Sequence, residues 1–387
     1  MSKTAFSQMT PKERMLTAIN NQQPDRVPVA PDISNMIPAR LTGKPFWDIY
    51  LYNDPPLWQA YIDAFRYFGF DGWVQYCESV EFKYRDDQRR FTTSIIKRTS
   101  ERIITQTVCH TPAGDLTSET VYYIADPPTV TKKWIKNLQE DLPKLQYFYP
   151  QISGCDASIL RRQEQIVGQE GIVGCVVFVP GFHNLMEYLD GGITAITYAY
   201  YDQFDLLSEL IAIQEANYIK QAEIVLDLKP DFIIIGASGL WTLNNPSIFR
   251  QFSLPALKKI THMAKEAGVP SILHSCGKER DLATICANET ELTCINPLEE
   301  PPQGDCDLGE VKRSLGIRLS LFGNLHTTRV MLLGSTDDVE KASRKCIDDA
   351  AEGGGFILST GDQCGRDTPD ANIFKMVEVA KTYGQYK

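Results

Sequence analysis

Residues 245–277, NPSIFRQFSLPALKKITHMAKEAGVPSILHSCG, contain one whole repeat of the fold. Asn245 and Pro246 are a helix start, with a capping side chain followed by proline at the first helical position. Gly268 is a helix stop, and the apolar run Ser271 to Leu273 then ends abruptly in His274, Ser275, Cys276 and Gly277. Helix, tight turn, short buried strand and polar strand end make the half-unit of an α/β protein.

The same rhythm extends in both directions. Upstream, Thr10-Pro11-Lys12-Glu13 predicts a capped helix to about Asn21, and Asp25 to Asp32 reads as a buried strand. Trp58, Tyr61, Ile62 and Phe65 fall at i, i+3, i+4 and i+7 of a helix that Gly69 stops, and Asp71 to Tyr76 is a second strand. Further apolar runs recur at 171–179, 231–235, 292–295, 318–322 and 356–358, with a helix opening at Thr336-Asp337 and ending before Gly353-Gly354-Gly355. Eight β-then-α units predict a (β/α)8 TIM barrel, an α/β fold, in a single domain over 1–387. No Gly-x-Gly-x-x-Gly follows any strand, which argues against the open dinucleotide sheet. From about 82 to 123 the pattern changes to Thr-rich alternation with a turn at Pro112-Ala113-Gly114, as an inserted antiparallel β segment would give.

Composition narrows the function classes. With 39 basic against 49 acidic residues the net charge is −10, and no basic run is interleaved with aromatics, so nucleic acid is excluded as a partner. The chain has no stretch of membrane-spanning length and no secretion-signal core near Met1, so a cytoplasmic, non-membrane location is expected. Ten scattered cysteines in a reducing compartment read as buried thiols unless position says otherwise.

Barrels place their active sites at the C-terminal strand ends. Here those ends carry Asp32, Cys77-Glu78, His183, Trp241, His274-Ser275-Cys276, Glu299, Asn324, His326 and Asp362-Gln363-Cys364. His274 and Cys276, two apart on an extended segment, point the same way, and Cys364 follows the last strand, which neighbours the first. One imidazole and two thiolates suit Zn2+ with an open position; the bland alternative is a polar histidine beside small buried thiols. Glu78, directly ending a strand, is the candidate catalytic acid, and Glu299 and Asp362 are further carboxylates able to fill a fourth ligand position. Asp32, His183, Trp241, Asn324 and His326 are candidate substrate contacts.

Several stretches, Pro11 to Arg14 with Asp25 to Val29, Asn245 to Pro255, Ile272 to Gly277, Asn296 to Glu299, Phe322 to Asn324 and Gly355 to Cys364, together resemble the uroporphyrinogen decarboxylase superfamily. Within it the chain is similar to the zinc-dependent corrinoid methyltransferases. That resemblance implies His274, Cys276 and Cys364 as metal ligands and a methyl group as cargo. Only Arg26 and Arg40 lie in the 26–40 loop, which disfavours binding a multiply carboxylated porphyrinogen. The insertion and the aromatic-rich stretch Phe46, Trp47, Tyr50, Tyr52 and Trp58 favour a bulkier donor. The expected activity is therefore methyl transfer from a methoxylated aromatic to the Co(I) of a separate corrinoid protein, as in O-demethylase systems. The alternatives are transfer from a methylcorrinoid protein to a thiol of the coenzyme M type, and a non-catalytic metal-binding scaffold. None of His110, His183, His262, His274 or His326 has the Asp-x-His-x-x-Gly setting of a cobalt ligand, so the corrinoid is expected on a transient partner protein.

Overall fold

The computed structural model describes residues 8–76 and 79–386. Seven parallel strands form one sheet with neighbours in chain order: β1 (Gly72–Val74), β2 (Gly171–Phe178), β3 (Phe232–Gly236), β4 (Ser271–His274), β5 (Cys294–Asn296), β6 (Ser320–Leu325) and β7 (Phe356–Thr360). The eighth stave, expected over 25–32, is an extended segment rather than a regular strand. Leu358 N donates to Pro28 O (2.9 Å), Ala30 N to Leu358 O (3.0 Å) and Asp71 N to Val29 O (2.9 Å), so this segment stands between β7 and β1 and closes the barrel. Pro28 and Pro31 have no N–H to give, which keeps the ladder from growing longer.

Asp71 fixes that closure from below. Its carboxylate accepts from Arg14 Nη1 (2.7 Å), from both Arg26 Nη atoms (3.0 Å each) and from Val29 N (2.9 Å), with all three ionic side chains buried. The barrel interior is filled by Ile and Leu of the strands, with Trp73 packed on Phe322 at 4.7 Å between ring centres.

The helices form where capping chemistry predicts. Thr10 and Glu13 make a reciprocal capping box at the start of Pro11–Ile19, and Gly69, at φ 71°, closes Leu57–Phe68. Asn245 Oδ1 accepts from Ile248 N, and the helix it opens runs through a wider turn at Phe249–Ser253 into Leu254–Ala267.

The insertion is a four-stranded antiparallel sheet, Arg90–Arg98, Arg102–Thr111, Gly114–Tyr123 and Thr129–Lys132, in chain order. It therefore runs on past residue 123 to Lys132. The short strand Glu81–Tyr84 before it pairs with Ile152–Asp156 after it. Cys109 and Leu116 pack with Ile135, Leu138 and Leu142 in a second apolar cluster separate from the barrel core. The segment after Tyr123 is joined to the barrel: Phe46 N donates to Ile124 O (2.8 Å), and Arg366 Nη1, from the loop beyond β7, donates to Ala125 O (2.6 Å) and Asp126 Oδ1 (3.0 Å). Among the described residues no helix is long and apolar enough to cross a membrane.

Candidate metal centre

The register sets β2, β3, β4 and β5 to one height, because Phe178 pairs with Gly236, Gly236 with His274 and His274 with Asn296. Just above that level the chain alternates: His274 and Cys276 are half-buried, and Ser275 between them is fully buried. The Cys276 Sγ lies 3.2 Å from His274 Nε2. Asp362, from the loop beyond β7, brings a carboxylate oxygen to the same place, so that ligand atoms of His274, Cys276 and Asp362 all lie within 4.8 Å of one another.

The imidazole is set for a cation. Asn296 Nδ2 donates to Phe322 O (2.9 Å), which turns Asn296 Oδ1 toward His274 Nδ1 at 2.6 Å. An amide oxygen only accepts, so Nδ1 carries the proton and the Nε2 lone pair faces Cys276. Nitrogen and sulfur ligands of a tetrahedral zinc ion stand about 3.5 Å apart, close to the separation seen. Burial pushes the Cys276 thiol well above its ordinary range, and Asp362 and Glu299 push it the same way. Conversion to a thiolate in such surroundings calls for a cation at the sulfur.

Cys364 stands apart from that tight group, although the two carboxyl groups beside it belong to the same site. Its backbone N donates to Asp32 O (2.8 Å), and its fully buried thiol is pushed up to about 12 by burial first, then by Asp32. The third group brought to His274 and Cys276 is thus Asp362, two residues ahead of Cys364.

The remaining candidates divide by what their polar atoms already do. Asp32 is buried and accepts from Ser34 N (2.9 Å); burial raises its carboxyl while His274 lowers it, which puts it beside the centre. His183 is buried and without a capping role. Asn244 Oδ1 accepts from Phe182 N (3.0 Å), so Asn244 Nδ2 faces His183 Nδ1 (3.5 Å) and leaves the imidazole proton on Nε2. That Nε2 has no partner, and burial holds the ring neutral, with its pKa lowered to about 3. Trp241 packs edge-on against Phe249 (5.5 Å). Asn324 is engaged by Leu298 O (2.8 Å) and Cys346 Sγ (3.5 Å). His326 Nδ1 accepts from Thr328 N and Arg329 N (3.2 Å each), which makes it a helix cap. Asn324 and His326 line a cavity of about 350 Å³ with Cys306 and Cys346, and none of His274, Cys276 or Asp362 borders it. Glu78, with Cys77, lies outside the described residues.

Three roles escaped the sequence reading. Asn296 orients the histidine, Ser238 Oγ meets Cys276 Sγ at 3.5 Å, and Glu299 Oε2 accepts from Gly277 N at 2.5 Å in a role more specific than a spare ligand. A polar residue directly ending a strand was the available signal for Asn296. No local pattern marks Ser238.

A closed α/β barrel with nitrogen, sulfur and carboxylate donors converging at the strand ends defines a candidate metal-dependent barrel enzyme. The family model for uroporphyrinogen decarboxylase (URO-D) matches residues 123–383, and the chain belongs to that family, in its corrinoid methyltransferase branch. It is 28% identical over 286 residues to the methylcobamide:CoM methyltransferase MtbA of Methanosarcina mazei, covering 71% of this chain and 75% of that protein. Against the protein of the same name from Methanosarcina acetivorans the identity is 26% over 284 residues, with the same shares of the two chains. A uroporphyrinogen decarboxylase of Coxiella burnetii is 22% identical over 188 residues, 47% of this chain and 49% of its own. The solved structure of a methyltransferase from Methanosarcina mazei shares the fold, with a TM-score of 0.67 at 17% identity over 97% of this chain and 99% of the other.

Proposed function

We propose that this enzyme moves a methyl group from a corrinoid carried by a separate protein to a small thiol held at a zinc ion on His274 and Cys276. The observation that carries the reading is the chelating pair itself, a 3.2 Å nitrogen–sulfur approach with the lone pair aimed by Asn296. The relatives named as methylcobamide:CoM methyltransferases support a corrinoid donor and a thiol acceptor over the methoxyarene donor expected from the sequence. Cys364 and Asp362 would complete the ligand set, with Asp362 holding the position that a substrate would take. Zinc with an exchangeable position supplies acidity to a bound thiol.

The chain's own residues handle the proton and the orientation. Glu299 is 7% exposed, is anchored through one oxygen on Gly277 N and is influenced by both His274 and Asp362. It takes the proton that the incoming thiol releases. Asp32 supports the floor of the site from the closing stave, and Glu78 is assigned as a second acid on its position after β1. His183 and Trp241 border the substrate. The corrinoid protein docks over the mouth transiently, because it must also visit its own methylating partner, and a small polar interface follows.

The reverse direction, demethylation of a phenyl methyl ether, is favoured by one observation: the insertion reaches the loop beyond β7 through Arg366, and so stands where a bulky donor would enter. The zinc-loaded protein with methylcobalamin and 2-mercaptoethanol, followed through the cobalt absorption bands, tests the main reading. Demethylation of the cobalamin is expected, with no colour in the purified protein alone. Corrinoid copurifying in stoichiometric amount, or turnover unaffected by removal of zinc, would overturn it.

A further inference from the structure

We infer that the substrate held at this centre is uncharged and carries a hydrogen-bond-accepting oxygen, and that a sulfonate-bearing thiol is a poor substrate. The inference rests on the methyl-transfer reading and concerns the part of the substrate that does not react.

The first ground is the sign of the charges. Asp362 belongs to the metal-binding group, Asp32 stands beside His274, and Glu299 is anchored at Gly277. The charges that bear most on Cys276 are Asp362 and Glu299, both acidic. A divalent ion bound to a thiolate and a carboxylate has its charge largely cancelled, so it offers an anionic tail little attraction.

Three arginines on the surrounding loops are committed elsewhere. Arg329 pairs with Glu300 (2.6 Å), Arg366 with Asp126 and Asp367 (3.0 Å each) and Arg40 with Asp370 (2.5 Å). Lys278 follows Cys276 by two residues and is exposed to solvent. A sulfonate entering this site would meet carboxyl groups without a desolvated counter-charge, an arrangement that rejects ligands by like-charge juxtaposition.

The second ground is an unspent donor on the ring of His183. His183 follows β2 on the mouth side and is 7% exposed. One loop ties it to the centre. Ser238 meets Cys276 Sγ, Thr242 Oγ1 accepts from Lys278 N (2.9 Å) and Asn244 holds His183. With its Nδ1 turned to the Asn244 amide, His183 presents an Nε2–H that nothing in the described protein accepts. A buried donor left so is costly unless a ligand satisfies it. The imidazole is uncharged, so it matches a hydroxyl or ether oxygen and supplies no positive charge to an anion.

Two thiols with the same two-carbon spacer decide the matter. The zinc enzyme is assayed with methylcobalamin and either 2-mercaptoethanol or 2-mercaptoethanesulfonate, and the cobalt(II)-substituted protein is titrated with each to read binding apart from turnover. The neutral thiol is expected to lead by about tenfold or more in kcat/KM and in affinity, and His183→Ala is expected to weaken 2-mercaptoethanol more than it weakens ethanethiol. Equal or better use of the sulfonate would overturn the inference. If neither thiol perturbs the cobalt spectrum, the thiol-acceptor reading has failed. The same rule then falls to guaiacol against vanillate as methyl donors to Co(I) cobalamin, where preference for vanillate overturns it and inertness toward all four compounds overturns both readings.

Discussion

At the residue scale, two side-chain amides on different elements do similar work with opposite results. Asn296 turns its oxygen to His274 and frees Nε2 for a metal; Asn244 turns its nitrogen to His183 and leaves Nε2 protonated. Replacing Asn296 with Ala should lower zinc affinity by about 10- to 100-fold, the usual cost of losing a group that orients a metal-bound histidine, measured by chelator competition. Unchanged affinity would show that the imidazole is held some other way. Cys276→Ala and Cys364→Ala should each abolish tight binding, with circular dichroism unchanged in both, and full metal binding by Cys364→Ala would remove that thiol from the proposed set. For His183 the sign is fixed by burial. Its folded pKa of about 3 lies below the ordinary 6.5, so the unfolded chain binds more protons between those values and stability falls as pH falls through that window. About 2 kcal/mol should be lost by pH 5 relative to neutral pH, and His183→Leu should flatten that part of the denaturant-midpoint profile.

At the element scale, the closing stave and the loops above it matter more than any helix. Asp71 holds Arg14, Arg26 and the backbone of Val29 at once, and it is 1% exposed. Asp71→Ala leaves the buried Arg26 guanidinium without an ionic partner and Arg14 with Asp25 alone, and a loss of about 3–5 kcal/mol is expected in urea unfolding. Gly277 sits at φ 95°, and a Cβ there would come within 2.3 Å of Thr242 Oγ1. Gly277→Ala should therefore push apart the two loops that carry Cys276 and Ser238. Metal affinity should fall while the strands stay paired, a result read by titration and by near-ultraviolet dichroism together.

At the scale of the whole molecule, the centre perches on a framework that does not depend on it. Ile272, Leu273, Ile295 and Leu321 below the site are fully buried, as are the strands beside them. A catalytic metal on such a base contributes mass-action stabilisation only, unlike a structural zinc whose removal unfolds a domain. Dialysis against a chelator should thus abolish methyl transfer and lower the Tm by only a few degrees, with full recovery on adding zinc. Unfolding on chelation would place the ion in a structural role. The insertion packs Cys109 and Leu116 against the helices that follow it, so its exposed strand Arg90–Arg98 should tolerate changes without loss of metal.

The barrel, its helix caps and the histidine–cysteine pair were legible in the chain, because each rests on local chemistry. A capping box, a glycine stop, an apolar run ending in a polar pair: all act over a few residues. Three things were not legible. Whether residues 25–32 form a full strand depends on two prolines and on which neighbours they meet across the ring. Which carboxylate joins His274 and Cys276 depends on the path of a loop 86 residues further on, and it is Asp362 that arrives there. The proton positions on His274 and His183 follow from amides contributed by other elements, Asn296 at the end of β5 and Asn244 after β3. Sequence fixes what each segment prefers by itself. Convergence of distant side chains, and the hydrogen-bond direction that gives each one its chemistry, exist only once the barrel has closed.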